Sequence, residues 1–214
     1  SDLGTLLFLT TFQIAMELVG LASYLLTGQY LLPPLVFRYL MGVTAVSLSI
    51  LGVVQAVRVP PVKEVEVRLP GLPLEFDGYR LIQLTDLHLS RLFAERWARA
   101  VVAKTNAQKP DLIVITGDLM DGTLEARKDD IAPLSGLKAA DGVFVIPGNH
   151  EYYYGYEGWM NRYQELGMTR LCNSHVQLTR GTDSLVLAGI TDSASRRFVL
   201  PNPDLRGALA GAPL

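Results

Sequence analysis

Three stretches of this chain share one design, and that design limits the folds open to it. Leu81-Ile82-Gln83-Leu84 runs into Thr85-Asp86-Leu87-His88. Leu112-Ile113-Val114-Ile115 runs into Thr116-Gly117-Asp118-Leu119-Met120-Asp121. Val143-Phe144-Val145-Ile146 runs into Pro147-Gly148-Asn149-His150-Glu151. Near-continuous apolar runs of this length are typical of strands buried on both faces, as in parallel sheets. Each run would then release hydrophilic, metal-competent side chains from its C-terminal tip. Open α/β sheets gather their ligands at that edge.

The intervening segments agree with a strand–helix alternation. Strands are expected over Tyr79 to Thr85, Asp111 to Thr116 and Val143 to Ile146. Leu92 to Ala107 sets Trp97, Ala100, Val101 and Lys104 at helical spacing and is closed by Pro110. Leu124 to Ala139 carries a helix interrupted at Pro133, and Tyr156 to Leu166 a helix ended by Gly167. This order argues a largely parallel α/β sheet. Shorter strands over Thr169 to Cys172, Val176 to Thr179 and Leu185 to Ile190 predict a second sheet packed on the first. Val62 to Leu69 alternates Val65, Val67 and Leu69 with Glu64, Glu66 and Arg68, the period of a half-exposed strand.

The first 59 residues are of another kind. Leu3 to Leu26 is apolar apart from Gln13 and Glu17, and Tyr39 to Val57 is 19 residues without a formal charge. About 20 apolar residues in a helix cross a bilayer core. Thr27 to Arg38, with Gly28, Pro33 and Pro34, reads as the turn of a transmembrane helical hairpin. Glu17 is costly at membrane depth and is expected to face the partner helix. Neither segment looks like a cleaved signal peptide, since both are long and neither has a basic leader. Arg58, Lys63 and Arg68 come after the second helix, so positive-inside counting leans to the cytoplasm for the rest of the chain. The division expected is residues 1–59 as a multi-pass membrane hairpin and 60–214 as a separate domain.

Composition narrows the partners. A net charge of -2 over 214 residues offers no basic nucleic-acid surface. One cysteine, Cys172, excludes an internal disulfide. The chain opens on Ser1 rather than Met and closes on Ala210-Gly211-Ala212-Pro213-Leu214 without a finishing element, which reads as a piece of a longer protein.

The tip residues are Asp86, His88, Asp118, Asp121, Asn149 and His150. Asp86 and His88 are two apart and would point the same way on an extended strand, able to clasp one ion. Asp118 follows Gly117, where the backbone can turn sharply, and its two oxygens can bridge two ions. Asn149 offers a neutral oxygen. Such a set suits Mn, Fe, Zn or Mg rather than thiolate-loving metals. Two cations about 3.5–4 Å apart would clamp a phosphate and activate a water. His150 is placed to give a proton or hydrogen bond to the leaving oxygen, and Asp121 to orient that imidazole. Any one of these motifs alone is a common turn; three in order, about 30 residues apart, are not.

Asp-Leu-His at 86–88, Gly-Asp-Leu-Met-Asp at 117–121 and Gly-Asn-His-Glu at 148–151 resemble the signature blocks of the calcineurin-like metallophosphoesterase superfamily. The hairpin and the phrase from Phe76 to Asp86 resemble its membrane-associated bacterial branch. The resemblance covers residue 62 onwards. It implies a four-layer α/β/β/α sandwich, here incomplete, with two divalent metal ions. It implies that Asp86 and His88 bind the first metal, Asp118 bridges, Asn149 binds the second, and His150 assists the leaving group. The expected activity is cleavage of a phosphomonoester, phosphodiester or pyrophosphate bond, and the membrane anchor motivates a lipid-linked substrate beside a phosphorylated small molecule.

The family also uses a later His and a Gly-His-x-His block. This chain has three histidines, and the third, His175, follows no such pattern and is read as structural. The missing ligands are expected beyond Leu214, and residues 1–214 alone are expected to be nearly inactive. The alternative is a catalytically degenerate, membrane-anchored binding module. A transporter reading rests only on Glu17 and two apolar helices. Tyr152, Tyr153, Tyr154, Tyr156 and Trp159 are expected to pack a helix start; the alternative is an apolar rim that receives a lipid-like substrate. Asp192 reads as a turn residue, Arg196 and Arg197 as solvated, and Cys172 as core.

Overall fold

The computed structural model describes residues 2–213. It divides into two compact units, Ser1–Pro60 and Pro61–Leu214.

The first unit is two helices, α1 (Asp2–Thr27) and α2 (Leu35–Ala56), that pack against each other. Both are long and apolar enough to cross a membrane. Their apolar side chains face outward almost all round, from Leu3 through Leu26 and from Leu35 through Val54. A helix with apolar residues on every side belongs in an apolar surround. The hydroxyls of Thr11, Thr27, Thr44 and Ser49 donate to the carbonyl four residues back, so these polar groups need no water. α2 begins at Leu35, four residues before the expected Tyr39, and Arg38 lies in its first turn rather than in the loop. Pro34 supplies the helix start, and an arginine is no obstacle to helix formation. Glu17 is bonded within α1 and to the loop that follows it. Gln13 Nε2 donates to its Oε1 at 2.6 Å, and the Tyr30 hydroxyl donates to its Oε2.

The second unit is built on a parallel sheet of β1 (Leu81–Leu84), β2 (Leu112–Thr116), β3 (Val143–Ile146) and β4 (Thr169–Arg170), in that spatial order. The connections carry α3 (Glu95–Ala107), α4 (Leu124–Arg127) with a 3₁₀ turn at Ala132–Gly136, and α5 (Asn149–Tyr153) with α6 (Tyr156–Glu165). Sequential parallel strands with right-handed crossovers put their connections on one face. Residue alternation then sorts the side chains. Ile82, Leu84, Ile113, Ile115 and Val145 pack with Ala98, Val102, Trp159, Met160 and Tyr163. Leu112, Val114, Phe144 and Ile146 turn to the other face and meet Phe76, Val176, Leu178, Leu185 and Leu187. That second face is covered by an antiparallel pair, β5 (Ser174–Arg180) and β6 (Asp183–Gly189). A last short helix, α7 (Leu205–Ala208), touches this pair. Three layers of the expected four are therefore described: helices, parallel sheet, strand pair.

Two expectations change. Val62 to Leu69 pairs with no strand among the described residues, and Val62, Val65, Val67 and Leu69 are exposed. Alternation supplies a face, but a strand also needs a neighbouring edge to hydrogen-bond. The helix over Leu124 to Ala139 is interrupted as expected but earlier than Pro133: the chain bends over Lys128 to Ile131, and Pro133 sits in the first turn of a 3₁₀ piece.

At the N-terminal ends of the strands, Arg180 of β5 clamps the layers together. Its guanidinium lies 2.7 Å from Asp111 Oδ1 and 3.1 Å from Asp141 Oδ2, with its carbon 4.5 Å from the Tyr79 ring centre. The Tyr79 hydroxyl donates to Asp141 Oδ2 at 2.6 Å. Burial pushes the Asp111 carboxyl up, but the Arg80 N–H and the Arg180 guanidinium outweigh it, and its pKa is lowered. A carboxylate with a depressed folded pKa stabilises above its ordinary value, near 3.8, and loses that contribution as pH falls through the folded value. Arg180→Met is thus expected to lower the melting temperature at pH 7 and to flatten its fall below about pH 4, relative to the parent. Thermal melts from pH 3 to 7 check this, and parallel curves would refute the clamp.

Candidate metal centre

The strands end early. β1 stops at Leu84, and Asp86 and His88 come next in left-handed backbone, φ 52° and 43°. The extended geometry expected to aim both the same way is absent. The chain instead tracks its neighbour: Asp86 N–H donates to Gly117 O, His88 N–H to Asp118 O and Leu89 N–H to Leu119 O. Asp121 N–H returns a bond to Leu89 O at 2.8 Å. The two loops thus continue the ladder of β1 and β2 past the strand ends. His88 Nε2 comes within 3.9 Å of Asp86 Oδ1 by this route.

Asp118 also has left-handed backbone, φ 53°, and is buried. Three non-glycine residues in this region at one edge are a store of strain of the kind found at functional sites. What holds Asp118 is a close approach of two glycines. Gly117, φ 87°, passes so near the next tip that an added Cβ would lie 2.2 Å from Gly148 N. A Cβ on Gly148 would lie 2.3 Å from Asp118 Oδ1. Bare backbone at both positions lets Asp118 Oδ1 accept the His150 N–H at 2.9 Å.

Glu151 locks the arrangement. Its carboxylate, with no exposed surface, accepts Gly148 N–H at 2.7 Å and Asp118 N–H at 3.0 Å on Oε2. On Oε1 it accepts Leu119 N–H at 3.0 Å and the Tyr163 hydroxyl at 2.8 Å. Burial, then the adjacent Glu151 carboxylate, keeps the Tyr163 hydroxyl protonated well above the ordinary tyrosine range. The sequence motif contained Glu151 but gave it no role. The available signal was its place three residues after Gly148 at a helix start, where a Glu reaches back to the capping N–H.

The side chains converge around Asp121. Its Oδ1 lies 2.9 Å from His88 Nδ1 in a hydrogen bond and 2.6 Å from His150 Nδ1. The latter pair is not aligned as a hydrogen bond, so the buried His150 Nδ1 has no partner of good geometry. The imidazoles meet edge to face, 4.5 Å between ring centres. Asp121 is itself set by the Trp159 indole, which donates to the next carbonyl, Gly122 O, at 3.2 Å.

His88, Asp118 and His150 present ligand atoms all within 4.8 Å of one another, a spacing that suits a metal ion. The donor chemistry fits a divalent cation: two imidazoles, carboxylates of Asp86, Asp118 and Asp121 close by, and an unsatisfied imidazole nitrogen. Asn149 opens α5 between Gly148 and His150, half-buried. His175 is elsewhere on β5, with its Nδ1 2.7 Å from the Ala208 carbonyl. Asp192 caps the 3₁₀ turn Ser193–Phe198, accepting from Ala194 N–H at 2.7 Å. Cys172 is partly buried, and the Tyr156 hydroxyl donates to its sulfur at 3.3 Å.

The calcineurin-like phosphoesterase family pattern matches residues 79–204. A transmembrane protein with metallophosphoesterase domain from Danio rerio is 34% identical over 175 residues, covering 79% of this chain and 40% of that protein. A metallophosphoesterase from Helicobacter pylori is 35% identical over 150 residues, 70% of this chain and 39% of that protein. The crystal structure of phosphopantetheinyl hydrolase from Mycobacterium tuberculosis gives a TM-score of 0.35 at 20% identity, over 51% of this chain and 41% of that one. The chain spans about 40% of the length of the curated relatives it matches.

Glu151→Gln replaces one of the two acceptor oxygens with an NH2 donor, which must face either two backbone N–H groups or one and the Tyr163 hydroxyl. It is expected to cost about 2–4 kcal/mol in a denaturant melt and to weaken divalent-metal binding at least tenfold. Gly117→Ala is expected to be as damaging, since its Cβ has no space and its backbone no comfortable conformation. Parent-like stability and metal affinity in either variant, by melting and calorimetry, would show that the tips are not locked this way.

Proposed function

Because the chain belongs to the calcineurin-like phosphoesterase family, we propose that it hydrolyses a phosphoester bond at a centre of two divalent metal ions beside a membrane. The observation that carries this reading is the His88–Asp118–His150 cluster, assembled from three strand tips and braced by Asp121. Asp86, His88, Asp118 and Asn149 are the proposed metal-holding residues. Bound there, such ions supply charge neutralisation for the phosphate and an acidified water.

The protein's own groups do the rest. Asp118 is fixed by the His150 N–H on its side chain and by Glu151 on its backbone. His88 is held through Nδ1 by Asp121, which leaves Nε2 to face Asp86. His150 Nδ1 lies 2.6 Å from the same carboxylate without hydrogen-bond alignment, and its Nε2 is the nitrogen proposed to donate to a leaving-group oxygen. Tyr153 and Tyr154 each set a ring 5.8 Å from the His150 ring and restrict its swing.

The two apolar helices support a multi-pass anchor, with the catalytic unit on the cytoplasmic side by the positive-inside count. The anchor favours a phosphorylated small molecule or lipid-linked substrate, cleaved at a monoester, diester or pyrophosphate bond. A second reading, a binding module without turnover, draws on His175: the Ala208 carbonyl occupies its Nδ1, which leaves His88 and His150 as the imidazoles at the cluster.

In the complete protein, loaded with Mn, Asp118→Asn is expected to lower hydrolysis of bis(p-nitrophenyl) phosphate at least 100-fold, about 3 kcal/mol, with the fold retained by circular dichroism. Chelation should abolish the parent's activity. Full turnover in the variant would overturn the mechanism; metal-dependent phosphate binding without turnover in the parent would favour the binding module.

A further inference from the structure

One surface next to the cluster has no part in the chemistry above. From His150, aromatic rings run outward in a chain. Tyr153 stands 5.8 Å from the His150 ring, and Phe198 stands 5.9 Å from Tyr153. Phe198 is backed by the buried Tyr152, 6.0 Å away and stacked. The outer faces are open: Tyr153 is 47% exposed, Phe198 40% and Val199 96%. Isolated apolar residues on a surface are ordinary, but these are contiguous with a set of metal-competent side chains.

The loop that presents them is built rather than slack. Asn173 Oδ1 accepts the Thr191 N–H at 3.2 Å, and its Nδ2 donates to Asn202 O at 2.7 Å. Thr191 Oγ1 donates to Pro201 O at 3.0 Å, closing the neck of the loop. At its crest Val199 has left-handed backbone, φ 56°, a conformation that a β-branched residue adopts only when its surroundings enforce it. The same 3₁₀ turn carries Arg196 and Arg197, both exposed and in no ion pair among the described residues. A substrate whose anionic end sits at the neighbouring cluster carries its organic group out over these rings.

We propose that the Tyr153–Phe198–Val199 strip seats the apolar portion of the substrate, so that the phosphoester preferred here is an amphiphile. The inference rests on the phosphoesterase reading, since the anionic end must lie at the His88–Asp118–His150 cluster. Phe198 and Val199 are specificity-determining residues, not catalytic ones: they touch the organic group and leave the phosphate alone.

The test is binding, independent of turnover. The full chain in lipid nanodiscs, loaded with Mn, is titrated with methyl-, butyl- and phenylphosphonate by calorimetry, alongside the double variant Phe198→Ser, Val199→Ser. The parent should bind butyl- and phenylphosphonate about tenfold more tightly than methylphosphonate, since each buried methylene contributes a severalfold gain. The double variant should lose that gain while binding methylphosphonate as the parent does and melting at the same temperature. An equal gain in parent and variant overturns the strip, and so does a gain that persists after chelation. Failure of methylphosphonate to bind the metal-loaded parent overturns the phosphoesterase reading itself, and this inference with it.

Discussion

A single buried carboxylate sets the geometry on which the candidate site depends. Glu151 accepts from Gly148, Asp118 and Leu119 backbone N–H groups and from the Tyr163 hydroxyl. A buried charge is tolerable only when its oxygens are satisfied, and these four donors satisfy both. The consequence is geometric. The tip after β2 and the tip after β3 are forced together at a distance that only glycine permits at 117 and 148. Asp118 and His150 are neighbours because of that contact.

The first tip is secured differently. The backbone ladder to Gly117, Asp118 and Leu119 brings Asp86 and His88 to the others. Along that ladder residues 86 and 88 adopt left-handed backbone. Asp121 then converts three separate loops into one cluster, since its Oδ1 lies against both imidazoles. The centre is thus held by two carboxylates with different roles. Glu151 works on backbone from inside, and Asp121 works on imidazoles near the surface.

The helix-side face of the parallel sheet ties the core to the site. Trp159 and Tyr163 of α6 belong to the helix-side core, and each also reaches the tips, through Gly122 and Glu151. The core and the site therefore share residues, and α6 cannot shift without disturbing Asp121 or Glu151. At the opposite end of the strands, Arg180 joins the strand pair to the parallel sheet through Asp111 and Asp141. The sheet is pinned at both ends.

What the sequence determined by itself is what periodicity and residue type can carry. The apolar runs 81–84, 112–115 and 143–146 locate three strands; β2 and β3 are buried or half-buried as expected, whereas β1, at the edge of the described sheet, leaves Leu81 and Gln83 exposed. The long apolar stretches locate α1 and α2. Asp, His and Asn at the tips name the donors, because few other residues serve a divalent metal. Tertiary structure decided the rest. Val62 to Leu69 had a strand's alternation, yet pairing depends on an edge that no local pattern encodes. The approach of Asp86 to His88 comes from a neighbouring loop's carbonyls, not from an extended strand. The role of Glu151 was invisible because a buried acid and an exposed helix-cap acid look alike in sequence. Only the packing around it, with Tyr163 twelve residues onward, distinguishes them.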